Sequence, residues 1–278
     1  MIRVRAMTFE DLTLGLRLKQ RVGWNQTAAD WARFLSLQPD GCFVAEHDGT
    51  PIGTVTTCVF GPVAWVGMML VEPPRRGQGI GRALLTRALE FLEAKGVRSV
   101  RLDATAMGEP LYLSLGFVPQ FHLARLEGEL HEVGEVSGVE AGRREDWESA
   151  ARLDTEVTNT DRRHLLFELF RERPGELRVV RRGGAVVGFL TTRRGARALY
   201  VGPCLATKEA GPLLFADVCR RHAGTFAFVD VPLGNASALS WLKRHGLYEQ
   251  RQLLRMCRGE PITECVDQLW ASSGPEKG

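Results

Sequence analysis

The chain has no run of about eighteen apolar residues, and without one no helix is expected to cross a membrane. It has no Cys-x-x-Cys pair. Cys42, Cys58, Cys204, Cys219, Cys257 and Cys265 are scattered, and with no signal peptide they are expected as reduced thiols of a cytoplasmic protein. The histidines keep no ligand spacing with these cysteines or with one another, so no metal is expected. A net charge of +3, with no basic block interleaved with aromatics, gives no case for nucleic acid. The composition, 44% hydrophobic and 25% charged, is that of a globular chain, and 278 residues suffice for two domains with separate cores.

What the chain does have is a glycine-rich turn between two regular elements. Met68, Met69, Leu70 and Val71 form an apolar run of strand length that Glu72, Pro73 and Pro74 halt. From Leu84 the apolar residues fall at Leu84, Leu85, Ala88, Leu89 and Leu92, one face of a helix that Gly96 can stop. Between them lies Arg75-Arg76-Gly77-Gln78-Gly79-Ile80-Gly81. Bare backbone at a helix N-terminus lets several N–H groups converge on one anion, and two arginines add positive charge. The turn suits a phosphate. It is not the dinucleotide fingerprint, which would need a small residue at Leu84 or Arg82, nor the nucleoside-triphosphate loop, which needs Gly-Lys-Ser/Thr.

Arg76-x-x-Gly79-x-Gly81 instead resembles the acyl-CoA pyrophosphate loop of the GNAT superfamily of N-acyltransferases. Leu111-Tyr112-Leu113-Ser114-Leu115-Gly116-Phe117, further along, is similar to the family's second signature, Leu-Tyr-x-x-x-Gly-Phe. The residue patterns give the first half the order strand, two helices, three strands, helix, strand, helix, strand. His47-Asp48-Gly49-Thr50 is an expected hairpin turn and Thr27 an expected helix cap. This α/β layout agrees with what the resemblance implies: two tandem domains, each a mixed, mostly antiparallel sheet flanked by helices.

The second half repeats the first. Leu177 to Gly188 echoes Cys42 to Gly53, Ala198 to Gly202 echoes Val63 to Gly67, and Trp241 to Leu247 echoes Tyr112 to Phe117. The copies are offset by 135 residues at Gly67 and Gly202 but by 130 at Gly116 and Gly246. Aligning Leu84-Leu85 on Leu213-Leu214 puts the five-residue loss at the phosphate turn. There the second copy reads Cys204 to Gly211, with one glycine and no paired arginines, and Trp241 is expected at the place of Tyr112. An indole cannot deliver a proton as a phenol can. A catalytic domain is therefore expected over 1–127, a linker over 128–138, a degenerate copy over 139–260 and a tail over 261–278 whose apolar Cys265, Val266, Leu269 and Trp270 need burial.

Acyl transfer to an amine needs a held donor, a neutral amine, hydrogen bonds to the oxyanion and a proton for the departing thiolate. By the resemblance, Arg76, Gly77, Gln78, Gly79, Ile80 and Gly81 hold the diphosphate of acetyl-CoA as co-substrate. Met69, Leu70 and Val71 pair through main-chain groups with its pantetheine and offer the oxyanion N–H. Tyr112 is the expected general acid, a role preferred to simple packing of its ring. The strand before the loop carries no carboxylate, so the base stays unassigned. Asp103 can accept a proton, bind an ammonium or cap a turn; Glu72 reads as a solvated loop residue. Trp24 and Asn25 either wall the acceptor pocket or seal the helices, and Trp31 is expected to seal. The acceptor is expected to be a small-molecule primary amine. A CoA-sensing scaffold and a protein N-acetyltransferase remain as alternatives, and the oligomeric state is open.

Overall fold

Short-range signals set the first elements. Strand β1 (Ile2–Ala6) leads to a turn in which Asp11 accepts from the Thr8 backbone and pairs with Arg5 at 2.7 Å, ahead of helix α1 (Leu12–Arg21). Helix α2 (Ala28–Leu37) starts at Thr27, whose backbone N–H donates to Asp30 in a capping box that contributes about 0.5–2 kcal/mol. Strands β2 (Phe43–His47) and β3 (Thr50–Phe60) are joined by Asp48-Gly49, both at positive φ, the two-residue turn whose twist matches a hairpin. Then follow β4 (Val63–Val71), helix α3 (Ile80–Ala94), β5 (Ser99–Ala104), the short helix α4 (Glu109–Leu113) and β6 (Val118–Glu129). Helix α3 ends as its sequence predicts, with Gly96 left-handed and Val97 N–H donating to Leu92.

The second half runs β7 (Val139–Ala141), α5 (Trp147–Thr158), α6 (Arg163–Glu172), β8 (Arg178–Arg182), β9 (Ala185–Arg194) and β10 (Leu199–Ala206). It continues with α7 (Ala210–Arg221), β11 (Phe226–Pro232), α8 (Ala236–Arg244), β12 (Tyr248–Gly259) and β13 (Leu269–Ala271).

The structure, a computed structural model, describes residues 2–278, and these fall into two units whose segments interleave along the chain. Unit 1 takes the chain up to Pro119, then Met256–Pro261 and Glu276–Gly278. Unit 2 takes Gln120–Arg255 and Ile262–Pro275. These units differ from the contiguous division at 127 and 139: β6, from the first half, lies almost wholly in unit 2, and only the end of β12, from the second half, lies in unit 1. Gly128 and Glu129, expected in a linker, belong to β6.

In unit 1 the sheet order is β1-β2-β3-β4-β5, with the end of β12 beside β5. In unit 2 it is β12-β6-β11-β10-β9-β8-β7, with β13 added on β10. β4 meets β5 and β10 meets β11 in parallel, whereas β1 to β4 pair antiparallel in sequence, as do β7 to β10, β6 with β11 and β10 with β13. Unit 1 buries Leu84, Leu85, Ala88 and Leu92 of α3, the stripe expected from the sequence. Unit 2 buries Leu214, Phe215, Val218, Trp241 and Trp270 in one cluster. On the opposite face of β11, beside Tyr200 and Phe228, Asp230 takes two hydrogen bonds from Arg125 and one from Tyr200, all at 2.7 Å. Burial would push this carboxyl up, but the Arg125 charge and these bonds outweigh it and hold it below the ordinary range.

Candidate active site

The site starts from a defect in a strand. Thr54 pairs with Leu70 and Thr56 with Gly67, so Met68 and Met69 of β4 stand opposite one residue of β3. Met68 sits at φ 49°, and its carbonyl accepts from the buried Thr54 hydroxyl at 2.8 Å. This bulge bends β4 and re-aims its edge. On the other side β4 pairs with β5 across Val63–Trp65, although β4 runs to Val71 and β5 to Ala104. Beyond Trp65 the two strands diverge, and among the described residues no strand pairs with Met69, Leu70 and Val71 on that side. Asp103 lies on the diverging part of β5, half-buried, two residues past Arg101 and so on the same face.

The loop follows at once. Gly77 and Gly79 have φ of 76° and 80°, and a Cβ on either would meet nothing within 4 Å. Only glycine adopts this path without strain, and the space in front of it is open. The N–H groups of Gly77 through Arg82 donate to no acceptor among the described residues, whereas Ala83 N–H already bonds the Gly79 carbonyl. Helix α3 adds the positive end of its dipole, so this cradle fits an anion of diphosphate kind. Arg76 donates from Nε to the Val71 carbonyl at 3.2 Å, which ties the loop to the end of β4.

Helix α4 packs on the loop and brings Tyr112 with it. Arg76 reaches Met107 Sδ at 3.5 Å, Arg82 donates to Ser114 Oγ at 2.8 Å, and a Cβ on Gly81 would lie 3.3 Å from Leu111. The Tyr112 ring is buried, edge-on to Phe117 at 5.9 Å, and its hydroxyl makes no hydrogen bond among the described residues. Burial pushes its pKa up to about 12. The ring packs, as the plain reading had it, and the hydroxyl stays uncommitted.

Trp24 and Asn25 occupy the connection between α1 and α2, the first half-buried and the second buried. Trp31 seals: its ring lies where a Cβ on Gly15 would be, 2.8 Å away, so α1 and α2 meet through a missing side chain. Glu72 is not a solvated loop residue. It pairs with Arg17 at 3.2 Å and Arg21 at 3.0 Å and fastens α1 to the start of the loop. Sequence reasoning missed Gln26, buried beside Asn25, whose Oε1 has no partner and whose Nε2 donates to Glu276. Its signal was only position, next to the polar pair already singled out. No group of metal-ligating side chains occurs among the described residues, and no described helix is long and apolar enough to cross a membrane.

Unit 2 carries the same strand defect with a different outcome. Strand β10 pairs with β11 only at Leu199 and Tyr200, then shifts register against β9 between Val201 and Cys204. On the diverging edge β13 pairs with Cys204 and Leu205, the counterparts of Met69 and Leu70. The Trp270 ring lies over Gly211 in the first turn of α7, in the space a Cβ there would take. α7 starts at Ala210, three positions past Thr207, whereas α3 starts at Ile80, eight positions past Glu72, and the difference is the five-residue deletion counted in the sequence.

Comparison with known proteins agrees with this geometry. The profile described as the Acetyltransferase (GNAT) family matches residues 11–117, and that of an Acetyltransferase (GNAT) domain matches residues 150–271. The holothin acyltransferase of Pseudoalteromonas sp. (strain SANK 73390) is 26% identical over 242 residues, covering 85% of this chain and 81% of that enzyme. A mycothiol acetyltransferase of Thermobispora bispora is 38% identical over 91 residues, 29% of this chain and 31% of its own length. A tandem GNAT protein from the clavulanic acid biosynthesis pathway superposes with a TM-score of 0.67 at 16% identity, covering 94% of this chain and 99% of its own. The chain belongs to the GNAT superfamily, as an acyl-CoA-dependent N-acetyltransferase with two GNAT domains in tandem.

Proposed function

We propose that unit 1 moves an acetyl group from acetyl-CoA to a primary amine of a small molecule, with Tyr112 as general acid. The observation that carries this is the run of uncommitted N–H groups from Gly77 to Arg82, at the end of an unpaired strand edge and under the helix that holds Tyr112. The residues present fit acetyl-CoA. Gly77, Gln78, Gly79, Ile80 and Gly81 hold the diphosphate through main-chain nitrogen, and Arg76 adds charge while fixing the loop on Val71. Met69, Leu70 and Val71 take the pantetheine arm as a further strand would, through the edge that β5 leaves. Acetyl-CoA brings an acetyl group already activated as a thioester.

Tyr112 then donates its proton to the leaving sulfur. With a pKa of about 12 it keeps that proton across the physiological range, and it is a weaker acid than the thiol it serves, at about 8.5. Trp24, Asn25 and Asp103 line the acceptor side, Asp103 taking the proton that the amine sheds as its nitrogen bonds the acetyl carbon and the C–S bond breaks. Relatives named for holothin and mycothiol, rather than for a protein, support a small-molecule acceptor. Isothermal titration with acetyl-CoA tests the coenzyme assignment, and an amine screen read by free-thiol release tests the reaction. Normal titration of Arg76→Glu and Gly79→Asp alike would overturn the loop assignment; thiol release with no acetylated amine in the screen would favour a CoA-sensing role.

A further inference from the structure

The three residues Glu276, Lys277 and Gly278 lie inside unit 1, on the strand that leads to the coenzyme edge. A Cβ on Gly67 would stand 2.6 Å from the Glu276 carbonyl oxygen and 2.8 Å from its Cα, so only glycine at 67 lets this segment rest on β4. Gly278 lies as close to the Trp65 ring, 2.6 Å from where its own Cβ would be. Lys277 is 0% exposed and Glu276 2% exposed. A lysine is almost never so buried without a partner. Here Nζ pairs with Glu276 and lies 3.8 Å from Asp30 of α2, while Glu276 Oε2 accepts from Gln26 at 2.8 Å.

Two features mark this as a site rather than a seal. Gln26 is buried and holds Glu276 through Nε2, yet Oε1 of the same amide has no partner, so a buried acceptor beside the segment lacks an N–H. Asp30 also keeps Arg33 at 2.9 Å and the Thr27 backbone at 2.8 Å, so withdrawing Lys277 would not strand its charge. Lys277 and Glu276 leave together as a neutral pair. The location matters as much. Gly67 directly precedes the bulge at Met68, at the opposite end of Met69–Val71 from the diphosphate loop. A coenzyme laid along that edge has its thioester at this end.

Resting on the reading of unit 1 as the acetyl-transferring half, the geometry points to the groove of Gln26, Asp30, Trp65 and Gly67 as the acceptor site, filled by the chain's own Glu276–Gly278 and taking a cationic primary amine in their place. Lys277 marks the ammonium position. The incoming amine donates to Gln26 Oε1 and faces Asp30, and the segment must lift off β4 before it binds.

The probe is a fluorescein-labelled peptide Ser-Gly-Pro-Glu-Lys-Gly, titrated by anisotropy into the full-length chain and into a full-length E276A/K277A variant. The variant is expected to bind the peptide at least about tenfold more tightly, a difference of about 1.4 kcal/mol. n-Butylamine, the lysine side chain without its backbone, should compete, and adding Gln26→Ala should remove the binding. Equal affinity of the two chains, or no effect of Gln26→Ala, would overturn the proposal. Acetyl-CoA titration of the variant keeps the two readings apart: peptide binding that survives Arg76→Glu tests the groove, and loss of coenzyme binding tests the loop. Should the variant not fold, hydrogen exchange on the unsubstituted chain decides. Saturating n-butylamine is expected to speed exchange at 276–278, and unchanged protection would overturn the proposal.

Discussion

The two halves of this chain bend a strand in the same way and then use the resulting opening differently. In unit 1, β4 leaves β5 after Trp65, and on that side no strand among the described residues pairs with Met69–Val71. In unit 2, β10 leaves β11 after Tyr200 and β13 closes the edge at Cys204 and Leu205, with Trp270 over the first turn of the next helix. One half keeps polar main-chain groups open, and the other satisfies them with its own backbone and buries an indole. On the proposed reading, the chemistry resides in an unfinished piece of sheet, and finishing that piece leaves no free edge for a ligand.

The sharpest way to break the comparison is to spoil the open loop. Gly79→Asp puts a side chain on a residue at φ 80° and a negative charge where a diphosphate would lie. Acetyl-CoA binding is expected to fall by more than about a thousandfold, a loss of some 4 kcal/mol, with a stability loss of only about 1 kcal/mol that comes from the left-handed backbone and not from crowding. Calorimetric titration beside a thermal scan checks both halves of that statement. The reverse operation on unit 2 is Trp270→Ala. This removes a fully buried ring packed on Phe215 at 5.7 Å, at a cost of about 3–5 kcal/mol in denaturant unfolding. No second coenzyme site should appear, because Thr207 still leads into α7 without a glycine turn. A second equivalent of acetyl-CoA in the titration would show that the indole alone blocks the site.

The third comparison is between Tyr112 and Leu242: Phe117 N–H donates to the Tyr112 carbonyl as Leu247 N–H does to the Leu242 carbonyl, so Trp241, expected at this place, stands at that of Leu111, and unit 2 has no hydroxyl there at all. Tyr112→Phe keeps the packing against Phe117 and is expected to lower kcat by about a hundredfold. That is the low end for acid catalysis, because the phenol is a weaker acid than the thiol. The sign of the pH dependence follows. Burial raises the phenol from 10 to about 12, so the folded chain keeps this proton while an unfolded one loses it. The stability this contributes is present below pH 10 and is lost as pH rises toward 12. A rate profile with an alkaline limb near the ordinary tyrosine value, absent in Tyr112→Phe, would show that the ring is less buried in the working enzyme.

Most of this contrast was legible in the sequence because it rests on local residue types. Glycine at 77 and 79, the cap at Thr27, the stripe on α3 and the five-residue deletion before α7 each act within a few positions, so pattern and offset reveal them. The interleaving of the units was not legible, because which strand fills the place beside β5 depends on pairing between residues more than a hundred positions apart. The fate of the tail was only half readable. Leu269 and Trp270 advertise a need for burial, but nothing in Glu276-Lys277-Gly278 announces that a lysine will lie fully buried beside Asp30. Its partners come from α2 and from β4, and charge compensation across such a separation leaves no periodic trace.

Glu72 gives the smallest and most local test. Its counterpart in unit 2 is Thr207, since Glu72 N–H donates to Ile52 and Thr207 N–H donates to Val187 in matching positions of the two sheets. Thr207 spends its side chain on the next helix, accepting from Ala210 N–H at 3.3 Å, because that helix begins at once. Glu72 faces a loop instead and reaches back to Arg17 and Arg21 on α1. Both arginines are nearly half exposed, so solvent screens the pairs, and Glu72→Gln should cost less than about 1 kcal/mol, shrinking further in high salt. What the substitution changes is where α1 sits relative to the start of the loop, so a several-fold weaker acetyl-CoA affinity is expected alongside near-normal stability. If affinity falls as far as with Gly79→Asp, Glu72 does more than fasten a helix, and the difference from Thr207 is part of the chemistry.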